Sequence, residues 1–372
     1  MNRLSSAIGI MIIIILVSCR DDDDNVITNG NGNGNGGGNG DPSPIALDIP
    51  IHFSRIPNPI IPEDNSLTEE GVFLGKQLFF EKKLSKDNSL SCSGCHRPEK
   101  AFNDEGKPLS EGVGGKLGIR NAMPIFNLAW GSVTTRRFNW HGAASTLEEQ
   151  AFEPVTNALE MQESWVNVAA KLQNDPFYPP LFKAAFGTEK IDSNLVVKAI
   201  AQYERTLISS NSRVDDHTLE QMGIDVAGEN FLNQQELRGL NLFMQETKGD
   251  CFHCHGNLNN PLWTDNVFRN NGLDQFPDSG LAEVTNKASD VGKFKTPSLR
   301  NLVFTAPYMH DGRFNTIREV VDFYVDDVIV NSPNIAATMK PRNMNEQERE
   351  DLVAFLKALT DSSFVNNSDF LP

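Results

Sequence analysis

Ser91-Cys92-Ser93-Gly94-Cys95-His96 reads SCSGCH, and Cys251-Phe252-His253-Cys254-His255 reads CFHCH. Together these stretches hold four of the chain's five cysteines. Each sets two thiols three positions apart and follows the second with a histidine. One turn of backbone then presents both sulfurs to a single planar edge. A c-type haem is attached in this way, two thiols adding to its vinyl groups while the next histidine becomes an axial ligand of the iron. Two other readings compete. The two pairs together make a four-thiolate set for zinc, but Cys251 follows His96 by 155 residues, and zinc gives no role to either trailing histidine. Disulfides within each pair suit an exported chain and leave the histidines equally unexplained. The motifs therefore predict two covalent haems, one on Cys92, Cys95 and His96, the other on Cys251, Cys254 and His255.

The bulk composition sets the frame. The chain has 372 residues, of which 39% are hydrophobic, so it is globular and too long for one core; two domains are expected. A formal charge of -16 excludes nucleic acid, which needs a basic face, and favours a basic soluble protein as docking partner. Residues 1–18 carry Arg3 and an apolar run, Ile8 to Val17, too short to span comfortably as a mature helix. The run ends in Leu16-Val17-Ser18-Cys19. LVSC resembles the lipobox of bacterial lipoproteins, in which the cysteine is acylated; an ordinary signal peptide with an incidental cysteine is the alternative. RDDDD and NGNGNGNGGGNG follow, and residues 19–62 are expected to be a flexible tether ending in a proline-rich arm, Pro42 to Pro62. The expectation is a protein of the cell envelope, periplasmic or surface-exposed, held to the membrane by a lipid anchor only.

Helical patterning begins at Leu67. Leu67 to Phe80 leads into the first motif and Gln234 to Glu246, capped by Asn233, into the second, a weak internal repeat. Ser193 to Ile208 sets Val196, Ile200, Tyr203 and Leu207 on one side. Thr316 and Glu319 make a capping box, and Asn345 to Leu359 is amphipathic. No alternating strands stand out, so the fold class is mainly α with long loops. The boundary between 63–215 and 216–372 is placed near Asp215 to Asn230, where Gly223 and Gly228 interrupt the pattern.

Between Leu67 and Leu359 the sequence resembles the bacterial di-haem cytochrome c peroxidase family, including its MauG-like branch. GIRNAMP (Gly118 to Pro124), FNWHGAASTLEEQAFEPVTNALEM (Phe138 to Met161) and TPSLRNLVFTAPYMHDGRFNTIREVVDFY (Thr296 to Tyr324) carry the resemblance in order, beside the two haem motifs. It implies two cytochrome c-like haem domains: a peroxidatic one over 63–215 and an electron-transfer one over 216–372. It implies Glu160 as acid–base group at the first haem, Gln150 as its hydrogen-bonding companion, and Trp140 as the electron relay between haems. For Glu160 the residue pattern alone reads as a solvated helix-end carboxylate, and for Trp140 as a core aromatic. The resemblance also implies a calcium ion held by Asn121, Thr305 and Pro307, oxygen donors that suit that ion.

Two departures from the family pattern stand out. Ser110 to Gly118, SEGVGGKLG, has no histidine where the family's conventional peroxidases place a distal one, so the first haem is expected to keep an open face. Fourteen residues beyond His310, where those peroxidases have a methionine ligand, stands Tyr324. Tyr324 is the first choice for sixth ligand of the second haem, Met309 the second, Met339 and Met344 the remaining ones. His52 and His217 read as surface residues, and His141 and His310 as groups that act on a haem without binding it. The leading functional reading is reduction of hydrogen peroxide to water with electrons from a small redox protein such as a cytochrome c. The alternatives are a MauG-like oxidase acting on a protein or small molecule, and an electron carrier without peroxide turnover.

Overall fold

Thr68 turns an extended segment into a helix by accepting the Gly71 N–H, and helix Glu69–Phe79 follows. It lies along helix Ser193–Thr206. At Gly75 an added Cβ would meet the Ala199 carbonyl oxygen at 1.9 Å and Tyr203 Cβ at 2.9 Å, so only glycine permits this approach. The same construction recurs in the second half of the chain. Asn233 and Glu236 form a capping box that opens helix Gln234–Met244. That helix meets helix Glu346–Ala358 at Gly239, where a Cβ would lie 2.0 Å from the Asp351 carbonyl oxygen and 2.7 Å from Phe355 Cβ. The computed structural model describes residues 41–104, 106–131, 138–226 and 230–372, and Gly40–Pro372 make one compact unit.

Each helix pair carries its own apolar core. In the first, Leu74, Leu78 and Ile200 pack with Val168 of helix Trp165–Gln173 and Phe182 of helix Tyr178–Phe186. In the second, Leu240, Phe243, Trp263, Phe355 and Leu359 interlock, with the three rings in edge contact. Phe355 is fully buried, and truncating such a ring to alanine costs about 3–5 kcal/mol.

A second duplicated unit follows each motif. Phe138 pairs with Ala144 across one tight loop and Tyr308 with Phe314 across another. Asn139 and Met309 are left-handed, as are Gly142 and Gly312. Thr146 then caps helix Leu147–Thr156, and Thr316 caps helix Ile317–Asp322. The shared register sets Trp140 against His310, Gln150 against Val320, and Pro154 against Tyr324. Helix Ile317–Asp322 continues into a wider π-helical turn, Phe323–Asp327, which carries Tyr324; such turns recur at functional positions.

The expected helices are present to within a few residues. The one paired strand among the described residues joins Phe268–Arg269 antiparallel to Phe294–Lys295. The proline-rich arm is docked rather than free: Ile45 N–H bonds the Leu67 carbonyl, and Phe53 of the short turn Ile51–Arg55 packs on Trp130 and Leu262. His52 is corrected. It is 2% exposed, not a surface residue, and its Nε2 lies 3.2 Å from Asp215 Oδ1. Asp215, at the expected domain boundary, sits inside helix Arg213–Gln221 and is bound by the buried Arg300. The leader, Cys19, the glycine-rich tether to residue 40 and Gly228 lie outside the described residues. Among the described residues, no helix is long and apolar enough to cross a membrane.

Candidate functional site

Cys92–Cys95 form a single helical turn, and the His96 N–H returns to the Cys92 carbonyl at 2.9 Å. The second motif repeats this, His255 N–H to the Cys251 carbonyl at 3.0 Å. Helical closure holds both sulfurs and the imidazole at one cavity wall. His96 Nδ1 lies 3.0 Å from the Phe102 carbonyl, and His255 Nδ1 3.1 Å from the Pro297 carbonyl. Each carbonyl accepts the Nδ1 proton and leaves Nε2 as a lone-pair donor facing the cavity. Burial lowers both imidazoles' proton affinity, His255 to about 4, so they are neutral and able to bind metal. None of the four motif cysteines is paired in a disulfide. Burial pushes Cys95 up to about 11 and Cys251 to about 12, and raises Cys92 and Cys254 as well. Two cysteines at haem spacing beside a carbonyl-anchored histidine fit covalent haem at both places.

The first cavity has a volume of about 460 Å³. Cys92, Cys95 and His96 line it, and Gln150, Glu160, Pro154, Trp140 and His141 line it too. Glu160 is largely buried. Burial and the nearby Glu153 charge push its carboxyl up to about 7, against a hydrogen bond from Asn157 Nδ2 at 2.7 Å. Gln150 Oε1 is buried without a hydrogen bond. It is an acceptor at a cavity wall in need of a donor.

The histidine-free stretch Ser110 to Gly118 is a small hairpin seated on the segment that carries Glu160. Glu111 pairs with Leu117, and Gly112 N–H bonds the Lys116 carbonyl at 2.7 Å. Val113 N–H donates to the Glu160 carbonyl at 2.8 Å, and Gln162 Nε2 donates to the Val113 carbonyl at 2.6 Å. A Cβ on Gly112 would meet the Leu159 carbonyl oxygen at 2.0 Å. The hairpin therefore fixes the backbone from which Glu160 projects, a role with no side-chain signature in the sequence.

The second cavity is smaller, about 210 Å³, and is lined by Cys251, Cys254, His255, Tyr324, Met309, Met339 and Met344. Asn271 Nδ2 donates to the Tyr324 hydroxyl at 3.1 Å and lies 3.7 Å from Met309 Sδ. Burial pushes the Tyr324 hydroxyl up to about 12, with the Asn271 bond opposing. His310 stacks on Phe294 at 3.8 Å between ring centres. His253 is turned away, paired with Asp250. Asn121, Thr305 and Pro307 all border this cavity. The Asn121 amide donates to the Lys107 and Pro108 carbonyls, and Asn103 Nδ2 holds the Thr305 carbonyl at 3.0 Å. The Thr305 carbonyl keeps a second lone pair beside the Asn103 bond. Among the described residues, no cluster of three acidic, histidine or cysteine side chains forms a metal site.

Trp140 belongs to both cavities. Its Nε1 donates to the Asn121 carbonyl at 2.9 Å, and its own carbonyl accepts from Lys295 N–H. The ring is thereby pinned in the wall between two haem motifs. Beyond the expected residues, the structure adds Asn271, the hairpin and Glu204. The last had a signal: it stands one turn after Ile200, a charge beside an apolar stripe.

A duplicated helical frame with two cavities, each walled by a thiol pair and an anchored histidine, defines a protein for two c-type haems. Comparison with known proteins agrees. The sequence profile of the di-haem cytochrome c peroxidase family matches residues 69–222. The methylamine utilization protein MauG of Methylorubrum extorquens is 38% identical over 301 residues, covering 80% of each chain. The cytochrome-c peroxidase IdrP1 of Pseudomonas sp. (strain SCT) is 33% identical over 345 residues, covering 84% of this chain and 87% of its own. A solved structure of a MauG-like protein associated with microbial copper homeostasis superimposes with a TM-score of 0.76 at 33% identity, covering 88% of this chain and 98% of its own. The chain belongs to the di-haem cytochrome c peroxidase family, a family of oxidoreductases.

Proposed function

We propose that the protein reduces hydrogen peroxide to water at the first cavity, with electrons entering from a small redox protein through the second. The observation that carries this reading is the pairing of a largely buried carboxyl and an unpartnered amide oxygen, Glu160 and Gln150, in the cavity of the first haem motif. Haem bound at each motif supplies an iron that exchanges electrons and, in the first cavity, a place for peroxide. Glu160 takes the proton from the near peroxide oxygen and returns it to the leaving one, which departs as water. Gln150 Oε1 accepts a hydrogen bond from the peroxide and orients it. Trp140, common to both walls, carries electrons between the cavities. Calcium, held by Asn121, Thr305 and Pro307, belongs to the same proposal, as do the division at residue 215, the lipid anchor at Cys19 and a place in the periplasm or at the cell surface.

A specific observation favours a second reading, a MauG-like oxidase of a protein or small molecule. In the duplicated loops, Pro154 faces the first cavity where Tyr324 faces the second. Proline has no ligating atom, so a haem held at the first motif would gain no ligand from this position. Tyrosine does have one, and its oxygen favours ferric over ferrous iron. The experiment is peroxide consumption with reduced small cytochromes, for wild type and Glu160→Gln. Glu160 acts as a carboxylate, so the wild-type rate should rise as pH passes about 7. Glu160→Gln should abolish that limb and slow turnover by about 10²–10⁴-fold. Unchanged turnover in the variant would refute the role of Glu160, and no peroxide consumption by the wild type would leave an electron carrier. Rapid peroxide reaction with no cytochrome oxidation would favour the oxidase.

A further inference from the structure

Glu204 has no part in the chemistry above. It lies on helix Ser193–Thr206, 3% exposed, and lines the first cavity together with Ile200, one turn earlier. Its Oε2 makes no hydrogen bond. The duplicated frame shows what packing alone requires at this place. The Gly75–Ala199 and Gly239–Asp351 contacts fix the register, so Ile200 corresponds to Leu352 and Glu204 to Leu356. Leu352 and Leu356 line the second cavity. A leucine satisfies the fold there, whereas a buried carboxyl with an oxygen lacking a hydrogen bond is costly. The first cavity nevertheless has one.

The charged groups that act on Glu204 are few. Burial pushes its carboxyl up to about 8, Arg205 opposes, and Glu148 on helix Leu147–Thr156 adds to the rise. Arg205 is itself engaged by Glu148 at 2.8 Å. Helices Glu69–Phe79, Trp165–Gln173 and Tyr178–Phe186 meet this region through Leu74, Leu78, Val168, Leu172 and Phe182. Glu204 also raises the Cys92 thiol and the Tyr203 hydroxyl, which places its charge beside a haem attachment point.

We propose that Glu204 is a redox-linked proton site: it takes up one proton when the haem held by Cys92 and Cys95 is reduced, and releases it on reoxidation. An added electron in a buried cavity is a negative charge that bulk water screens poorly, and a neighbouring carboxylate becomes harder to keep ionised. The step balances. One electron arrives from the donor protein and one proton from solvent, the carboxylate becomes a carboxylic acid, and the net charge of the cavity is unchanged. Peroxide reduction consumes two electrons and two protons for two waters. Glu204 holds a proton beside the place where they are spent, while Glu160 shuttles one between the peroxide oxygens.

The inference rests on haem attachment at Cys92 and Cys95, so haem content is measured first and separately. Redox titration of the intact holoprotein, following the first haem's spectrum from about pH 6 to about 9, brackets a buried carboxyl of this kind. The wild-type potential should level off below about pH 8, where Glu204 is already protonated in the oxidised protein, and should fall as pH rises above it, towards one proton per electron. Glu204→Gln, with both haems retained, should flatten that dependence. An unchanged slope overturns the proposal. Redox-difference infrared spectra of wild type and Glu204→Asp provide a second measurement should the glutamine variant lose haem. A carboxylic-acid carbonyl band should appear on reduction and move in the aspartate variant; no band, or an unmoved one, overturns it equally.

Discussion

Replacing Gly112 by alanine tests whether the hairpin over the first cavity positions Glu160. Gly112 has φ -84° and ψ -172°, extended backbone that alanine adopts without strain, so the substitution acts through its methyl alone. That methyl would meet the Leu159 carbonyl oxygen at 2.0 Å and Glu160 Cα at 2.7 Å. To restore an ordinary contact of 3.4 Å, hairpin and Glu160 segment must part by about 1.4 Å. The Val113–Glu160 bond, now 2.8 Å, cannot survive that separation. A misplacement of about 1 Å at a reacting group costs on the order of 10²-fold in rate. The assay is stopped-flow mixing with peroxide, followed at the haem absorbance. Gly112→Ala should slow the reaction by roughly that factor while haem content is retained. Gly114→Ala is the control. Its φ is +72°, so alanine is strained there, yet its Cβ meets nothing within 4 Å. It should cost about 1 kcal/mol of stability and leave the peroxide rate alone. Equal rates in wild type and Gly112→Ala would refute the positioning argument.

Further outcomes follow from other parts of the structure. Denatured wild-type protein should retain two covalent haems, and the Cys92→Ala, Cys95→Ala double variant one, counted by absorbance after denaturation; zinc without haem would end the reading. Tyr324→Phe should alter the low-spin signal in electron paramagnetic resonance, whereas Met309→Leu should not; the reverse result would make Met309 the ligand. Asp215→Ala should lower stability by about 3–5 kcal/mol in denaturant titration, because Arg300 would be left buried and unpaired. Burial alone would raise the Asp215 carboxyl, but Arg300 and His52 hold it well below the ordinary carboxylate range. Its contribution is therefore fully present above about pH 4 and is lost as pH falls further.

What the sequence made legible was what chemistry forces to be local. Two thiols and a histidine must be close in sequence to share one porphyrin edge, so the haem motifs could be read directly. Helix caps are local too, and Asn233 and Thr316 stand where they were expected. His52 was misread because its burial depends on Asp215 and Arg300, far along the chain, and nothing beside it marks the pairing. The hairpin escaped for a similar reason. Its grip on Glu160 runs through backbone groups, which leave no side-chain pattern. Glu204 was visible as a charge beside an apolar helical stripe, but only the second copy of the frame shows that leucine would have served there.

That duplication shows where the two halves of one architecture differ. The loops after each motif share their bridges, left-handed residues and threonine caps, and differences fall at side chains that line the cavities. Gln150 stands where the second half has Val320, Trp140 where it has His310, and Pro154 where it has Tyr324. The helix behind them has Glu204 where the other has Leu356. The first cavity is thus lined by polar groups, Gln150 and Glu204 among them, and has no side chain able to ligate at position 154. The second has lost those groups and gained a hydroxyl, held by Asn271, that can close an iron's sixth position. A site with protons and an open face suits bond cleavage. One that is apolar and closed suits electron passage, because little has to reorganise when charge arrives. The fold sets both cavities against one tryptophan, and on the proposed reading a handful of side chains on a repeated frame sets which cavity cleaves and which passes electrons.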